Sequence, residues 1–218
     1  MLKKRREKLM LINYTKPLFS MLINHQGRAI FSLALTLILS ACSVTPGSEL
    51  TDNQELSTAS NKNYTEAISE MKSGKLKRAQ ILLSKVIRQQ PNFSNAHVNL
   101  GIIYIKMKMF KKAEDSLQLA LKINPDNIYA LNQLGFLYRV NGEFSKAKDS
   151  YEKAISIDSN YVNAHLNLGI LYDLYLYDLD NAIEQYKIYT DLSKNKDKKV
   201  SKWIFDLERR NKKTLIQR

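Results

Sequence analysis

Cys42 is the only thiol in this 218-residue chain, and it stands where an apolar run ends, in Leu39-Ser40-Ala41-Cys42-Ser43. A lone cysteine usually serves as a small buried hydrophobe. As a metal ligand or an activated nucleophile it would need partners, and the sequence supplies none. The three histidines, His25, His97 and His165, lie far apart. There is no Gly-rich phosphate loop, no His-Glu-x-x-His pair and no second cysteine for a disulfide. Asp173, Asp178 and Asp180 cluster near a helix–helix turn and are expected to be solvated. Nothing in these types and spacings points to catalysis, a cofactor or a metal.

What precedes the thiol gives it a different chemistry. Residues 30–41 carry no charge, a stretch shorter than the roughly 20 residues a membrane-spanning helix needs. It matches the apolar region of a secretory signal peptide, with Lys3-Lys4-Arg5-Arg6 and Arg28 as its basic flank and Ser40-Ala41 as small residues at the cleavage site. Met1, Met10 and Met21 are alternative starts. Leu39-Ser40-Ala41-Cys42 resembles the lipobox of bacterial lipoproteins, which implies removal of residues 1–41 and acylation of Cys42. Several acyl chains hold a protein at a bilayer without ready release. The resemblance also favours the periplasmic face of the outer membrane, because Ser43 replaces the aspartate linked to inner-membrane retention. Residues 42–60 are polar, without sustained periodicity, and read as a flexible tether.

The net charge of +13 suggests nucleic acid or an acidic surface until it is apportioned. Residues 1–42 hold seven Lys/Arg and one acid, residues 194–218 hold ten and three, and the middle has 17 of each. The central region is therefore no electrostatic funnel for phosphates, and nucleic acid is not expected as a partner. The basic tail is either a solvated end or a contact for anionic lipid or an acidic protein.

The elements that must carry any site come from an internal repeat. Leu100-Gly101, Leu134-Gly135 and Leu168-Gly169 recur every 34 residues, each followed by Tyr104, Tyr138 or Tyr172. Ala113 and Ala147 come 12 residues after their glycines; Ala182 arrives one residue late. Pro91 and Pro125 keep the same interval. This pattern resembles the tetratricopeptide repeat (TPR), and it implies an all-α solenoid of helical hairpins. Three repeats are clear at 94–127, 128–161 and 162–196, and a degenerate one at 60–93 carries Asn63, Glu66 and Glu70 at usually apolar sites. The array is placed at 61–193 and a basic capping helix and tail at 194–218. In that helix Asp197 is a candidate cap, and Val200, Trp203, Ile204 and Leu207 share a face. His97 and His165 sit at the usual Trp position and are expected to pack rather than ligate.

In TPR proteins the ligand usually lies along a concave face lined by the first helices. The resemblance places there Asn95, Val98, Ile102, Ile105 and Lys106, then Tyr129, Asn132, Phe136, Arg139 and Val140, then Asn163, Leu166, Ile170, Asp173 and Leu174. Val98, Asn132 and Leu166 stand where carboxylate-clamp adaptors need lysine, so that mode is not supported. Asn99, Gln133 and Asn167 recur at one position, and they either grip an extended peptide's backbone or bond within the array. The reading is a non-enzymatic, lipid-anchored scaffold for a protein or extended peptide partner. Pilus or secretion assembly, energy coupling and cell-wall regulation are the settings the resemblance offers. A soluble secretion chaperone, and a glycan-binding accessory using Tyr175 and Tyr177, are the alternatives. Oligomeric state is not legible.

Overall fold

The computed structural model describes residues 58–193 and 198–216. The expected leader at 1–41, Cys42 and Asp197 all lie outside the described residues. Among those described, every regular element is helical: α1 Thr58–Lys72, α2 Leu76–Gln89, α3 Ser94–Lys106, α4 Phe110–Ile123, α5 Ile128–Asn141, α6 Phe144–Ile157, α7 Val162–Leu171 with a π-helical continuation Tyr172–Leu176, α8 Leu179–Leu192 and α9 Lys198–Ile216. Helices α1–α8 form four successive hairpins, each stacked on the next, and α9 packs on α8. This is the expected four-repeat solenoid with a closing helix.

The recurrent glycine explains how closely each hairpin packs. A Cβ placed on Gly101 would lie 2.7 Å from Leu117 Cγ; on Gly135, 2.6 Å from Tyr151 Cε1; on Gly169, 2.7 Å from Tyr186 Cδ1. Leu117, Tyr151 and Tyr186 are fully buried, so a large side chain of the second helix fills the space that each glycine leaves. Successive hairpins are then tied by polar contacts. Asn127 caps α5, accepting from the backbone N–H groups of Tyr129 and Ala130, both at 3.1 Å. Its Nδ2 donates to Ser94 Oγ at 2.8 Å and Asn95 Oδ1 at 3.0 Å, and Ser94 Oγ donates to the Ala120 carbonyl at 3.0 Å.

The turn inside each hairpin also repeats. Gly74, Lys108, Gly142 and Tyr177 all have positive φ, at 75°, 59°, 83° and 58°, and each closes a first helix with a left-handed residue. The next residue donates back to a helix carbonyl: Lys75 to Glu70, Met109 to Tyr104, Glu143 to Tyr138, Asp178 to Tyr172. The last of these spans one residue more than the others. The late arrival of Ala182 is thus absorbed between Gly169 and Tyr177 by a single π-helical turn, Tyr172–Leu176. A π-turn is how a helix accepts one extra residue without leaving its axis.

The degenerate first repeat pairs its two acidic positions with one arginine: Arg78 reaches Glu66 at 2.8 Å and Glu70 at 3.1 Å. At the other end, Val200 and Leu207 of α9 are buried, Trp203 and Ile204 are half-buried, and Trp203 meets the Tyr186 ring at 5.5 Å. Tyr189 is buried where Ala120 and Ala154 stand in the preceding repeats.

Candidate functional site

The first helices α3, α5 and α7 touch one another across hairpins, while the second helices α4, α6 and α8 make no comparable contact. The array therefore coils with its first helices on the inside. Along this inner face Val98, Ile102, Ile105, Phe136, Leu166 and Ile170 are all buried. Lys106 and Tyr129 are half-buried. Burial pushes the Lys106 ammonium below the ordinary lysine range and the Tyr129 phenol above its own. The face is apolar, with amides and one guanidinium set into it.

The amides bond across repeats. Asn99 Nδ2 donates to Tyr64 Oη at 2.8 Å, and Asn167 Nδ2 donates to Asn132 Oδ1 at 2.9 Å. Asn132 and Gln133 are buried as well. Of the two roles the sequence leaves open for Asn99 and Asn167, joining neighbouring repeats is the one seen here. The histidines pack: Nε2 of His97 and of His165 donate to the carbonyls of Pro91 and Ser159, both at 2.9 Å. Among the described residues no group of three or more His, Cys, Asp or Glu is placed to hold a metal, and no helix is long and apolar enough to cross a membrane.

Two charged groups depart from what their sequence context suggests. Asp173, expected to be solvated, is fully buried; it accepts from Tyr186 Oη at 3.4 Å and lies 3.8 Å from Arg210 Nη1. The π-turn turns it inward, and α9 brings Arg210 over it. Asp178 is half-buried and caps α8 by accepting from Asn181 N–H at 3.1 Å, while Asp180 stays exposed. Arg139 is the second surprise, at 2% exposed. Its guanidinium carbon lies 5.3 Å from the Phe136 ring centre and 5.7 Å from that of Tyr175. Tyr175 in turn leans on Phe144, at 4.9 Å. Arg139 Nε and Nη2 and the Tyr151 hydroxyl are buried without a hydrogen bond of acceptable geometry. Burial opposes the charge on Arg139, yet the hydroxyls of Tyr151 and Tyr175 outweigh it and hold the pKa above the ordinary arginine value. Burial likewise raises the Tyr151 phenol, partly offset by Arg139. The i, i+3 spacing of Phe136 and Arg139 could have suggested their contact; the approach of Tyr175 depends on the π-turn and has no signal in the repeat pattern.

Comparison with known families places three overlapping matches on the chain: Tetratricopeptide repeat at 94–127, TPR repeat at 137–173 and Tetratricopeptide repeat at 117–149. The first has the bounds read from the sequence. No curated protein matches. Among solved structures the chain is similar to PilF of Pseudomonas aeruginosa, with 20% identity, 72% of this chain and 71% of that one covered, and a TM-score of 0.64. It is also similar to a thermophilic TPR protein of Thermus thermophilus, at 21% identity with 69% and 81% covered and a TM-score of 0.60. A third is MamA of Desulfovibrio magneticus, at 24% identity with 63% and 77% covered and a TM-score of 0.53. At these identities the likeness is one of fold.

Proposed function

We propose that this chain, which matches tetratricopeptide-repeat models over residues 94–173, is a non-catalytic scaffold whose inner face holds an extended segment of a partner protein. The observation that carries this reading is the inner face itself, where three successive first helices run side by side with Ile102, Phe136 and Leu166 nearly buried along it and Lys106 and Tyr129 half-buried at its surface. Lined surfaces of this kind take a chain in extended form, with side chains entering successive gaps between helices. A photo-crosslinking residue at Tyr129, on the inner face, should capture a partner in intact cells. The same residue at Lys153, exposed on α6, should not. Equal capture from both positions would remove the inner face as the site.

Anchoring belongs to the same proposal. Leu39-Ser40-Ala41-Cys42 after an apolar run supports acylation of Cys42 and attachment to the periplasmic face of the outer membrane, with residues 43–57 between lipid and array. Resemblance to lipobox proteins supports an envelope complex as the setting. The intact mass of the mature chain should correspond to an acylated N-terminal Cys42, and Cys42→Ala should leave the protein unprocessed or free of membranes. A mature chain that begins elsewhere and carries no lipid would sink this part alone.

A further inference from the structure

Arg139 is buried with two of its guanidinium nitrogens short of a hydrogen bond of acceptable geometry. Arginine keeps its proton at any physiological pH, so it cannot escape burial by becoming neutral. A buried charge is tolerated when a counter-charge and hydrogen bonds replace the water it has lost. Phe136 and Tyr175 lie against the guanidinium, an arrangement that cation–π attraction favours. Its hydrogen-bonding needs sit at its edges: the Tyr151 and Tyr175 hydroxyls lie near the charge, but Nε and Nη2 make no hydrogen bond of acceptable geometry. These two nitrogens share one edge, and their parallel N–H bonds match the two oxygens of a carboxylate. The Tyr151 hydroxyl, also without a hydrogen bond, is close enough to influence the charge. The chain's own candidate, Asp173, sits at the same register one repeat later and is turned to Tyr186 and Arg210.

We propose that Arg139 receives a carboxylate of the bound partner segment, held side-on by Nε and Nη2 with the Tyr151 hydroxyl beside it and the rings of Phe136 and Tyr175 against the guanidinium. The inference rests on the reading of the inner face as the docking surface and adds what that surface selects. An acidic side chain and a chain-terminal carboxylate offer the same two oxygens, so both are tested.

Three small probes suffice with the folded protein: N-acetylphenylalanine for a chain end, acetyl-Phe-Glu-amide for an acidic side chain, and acetyl-Phe-Gln-amide as the neutral analogue. At least one anionic probe should bind about tenfold or more tighter than the neutral one, the ratio a charge-assisted hydrogen bond supplies, and should shift the Arg139 Nε–H resonance. Arg139→Gln should abolish that ratio. Arg139→Lys keeps the charge without the fork and should retain only part of it. The wild-type comparison decides even if a variant fails to fold. Equal binding of all three probes, or a preference that survives in Arg139→Gln, would overturn the assignment. Anionic selectivity at Arg139 with no crosslinked partner from Tyr129 would instead remove the scaffold reading and leave the carboxylate site standing.

Discussion

Gly135 and Tyr151 share one space: a Cβ on the glycine would lie 2.6 Å from Tyr151 Cε1 and 2.9 Å from Cζ. The tyrosine is fully buried, so its ring has nowhere to retreat. Gly135→Ala gains about 1 kcal/mol of helix propensity but loses about 1–3 kcal/mol to overpacking, so the melting temperature should fall. Gly135→Leu should fall further. Because each hairpin leans on its neighbours, damage in the third loosens both sides. Thermal unfolding followed by circular dichroism checks this, and an unchanged curve would mean that the ring moves freely.

Asn127 joins two repeats through one side chain. Its Oδ1 caps α5 and its Nδ2 reaches Ser94 and Asn95 of the preceding repeat. Asn127→Ala loses the cap, worth about 0.5–2 kcal/mol, and also leaves buried polar groups of the preceding repeat short of a partner, worth about 1–3 kcal/mol. Asn127→Asp keeps the acceptor but not the donor, and should fall between the wild type and the alanine variant in urea midpoint. If the two variants were equally stable, the donor half of the side chain would have no role.

Sequence periodicity reveals this fold readily, because the repeat shows itself three times clearly and once in degenerate form. The 34-residue spacing of Gly101, Gly135 and Gly169 fixes the hairpins, and the delay at Ala182 locates the extra residue. How the extra residue is absorbed is not legible: an insertion can open a loop or wind a π-turn, and the 34-residue spacing is compatible with both. The burial of Asp173 is hidden from the sequence for the same reason, since it goes with the π-turn and with Arg210 from a helix outside the repeats. The inner-face amides were legible as a register but not as a role. Whether Asn99 meets a ligand or Tyr64 depends on a neighbour 35 residues away.

Lys108 and Tyr177 occupy the left-handed position that glycine fills in the other two hairpins. An L-residue there costs roughly 1–2 kcal/mol that glycine does not incur, while glycine gives back about 0.5–1 kcal/mol in unfolded-chain entropy. Lys108 is exposed, so its side chain has little packing to lose. Lys108→Gly should therefore raise stability by about 0.5–1 kcal/mol, read as a higher urea midpoint at unchanged slope. A lower midpoint would show that the lysine's contacts outweigh the strain.

The buried tyrosines make the array sensitive to alkali. Burial, reinforced by the Glu152 carboxylate, raises Tyr172 to about 12, and burial also lifts Tyr129, Tyr151 and Tyr161 above the ordinary phenol value. Tyr172 Oη donates to Glu152 Oε1 at 3.3 Å, a bond only the protonated phenol can make. Below pH about 10 these groups are protonated in both the folded and the unfolded chain, and their contribution to stability is fully present. Between that value and about 12 for Tyr172, the unfolded chain gives up protons that the folded one keeps, so stability falls as pH rises. Lys106, lowered by burial, works in the opposite sense but is a single group against four. Urea midpoints should be level from neutral pH to about 10 and then drop. Tyr172→Phe should make that drop shallower, since one of the groups responsible is gone. A variant whose curve runs parallel to the wild type through this range would show that Tyr172 ionises as freely in the folded protein as in the unfolded chain.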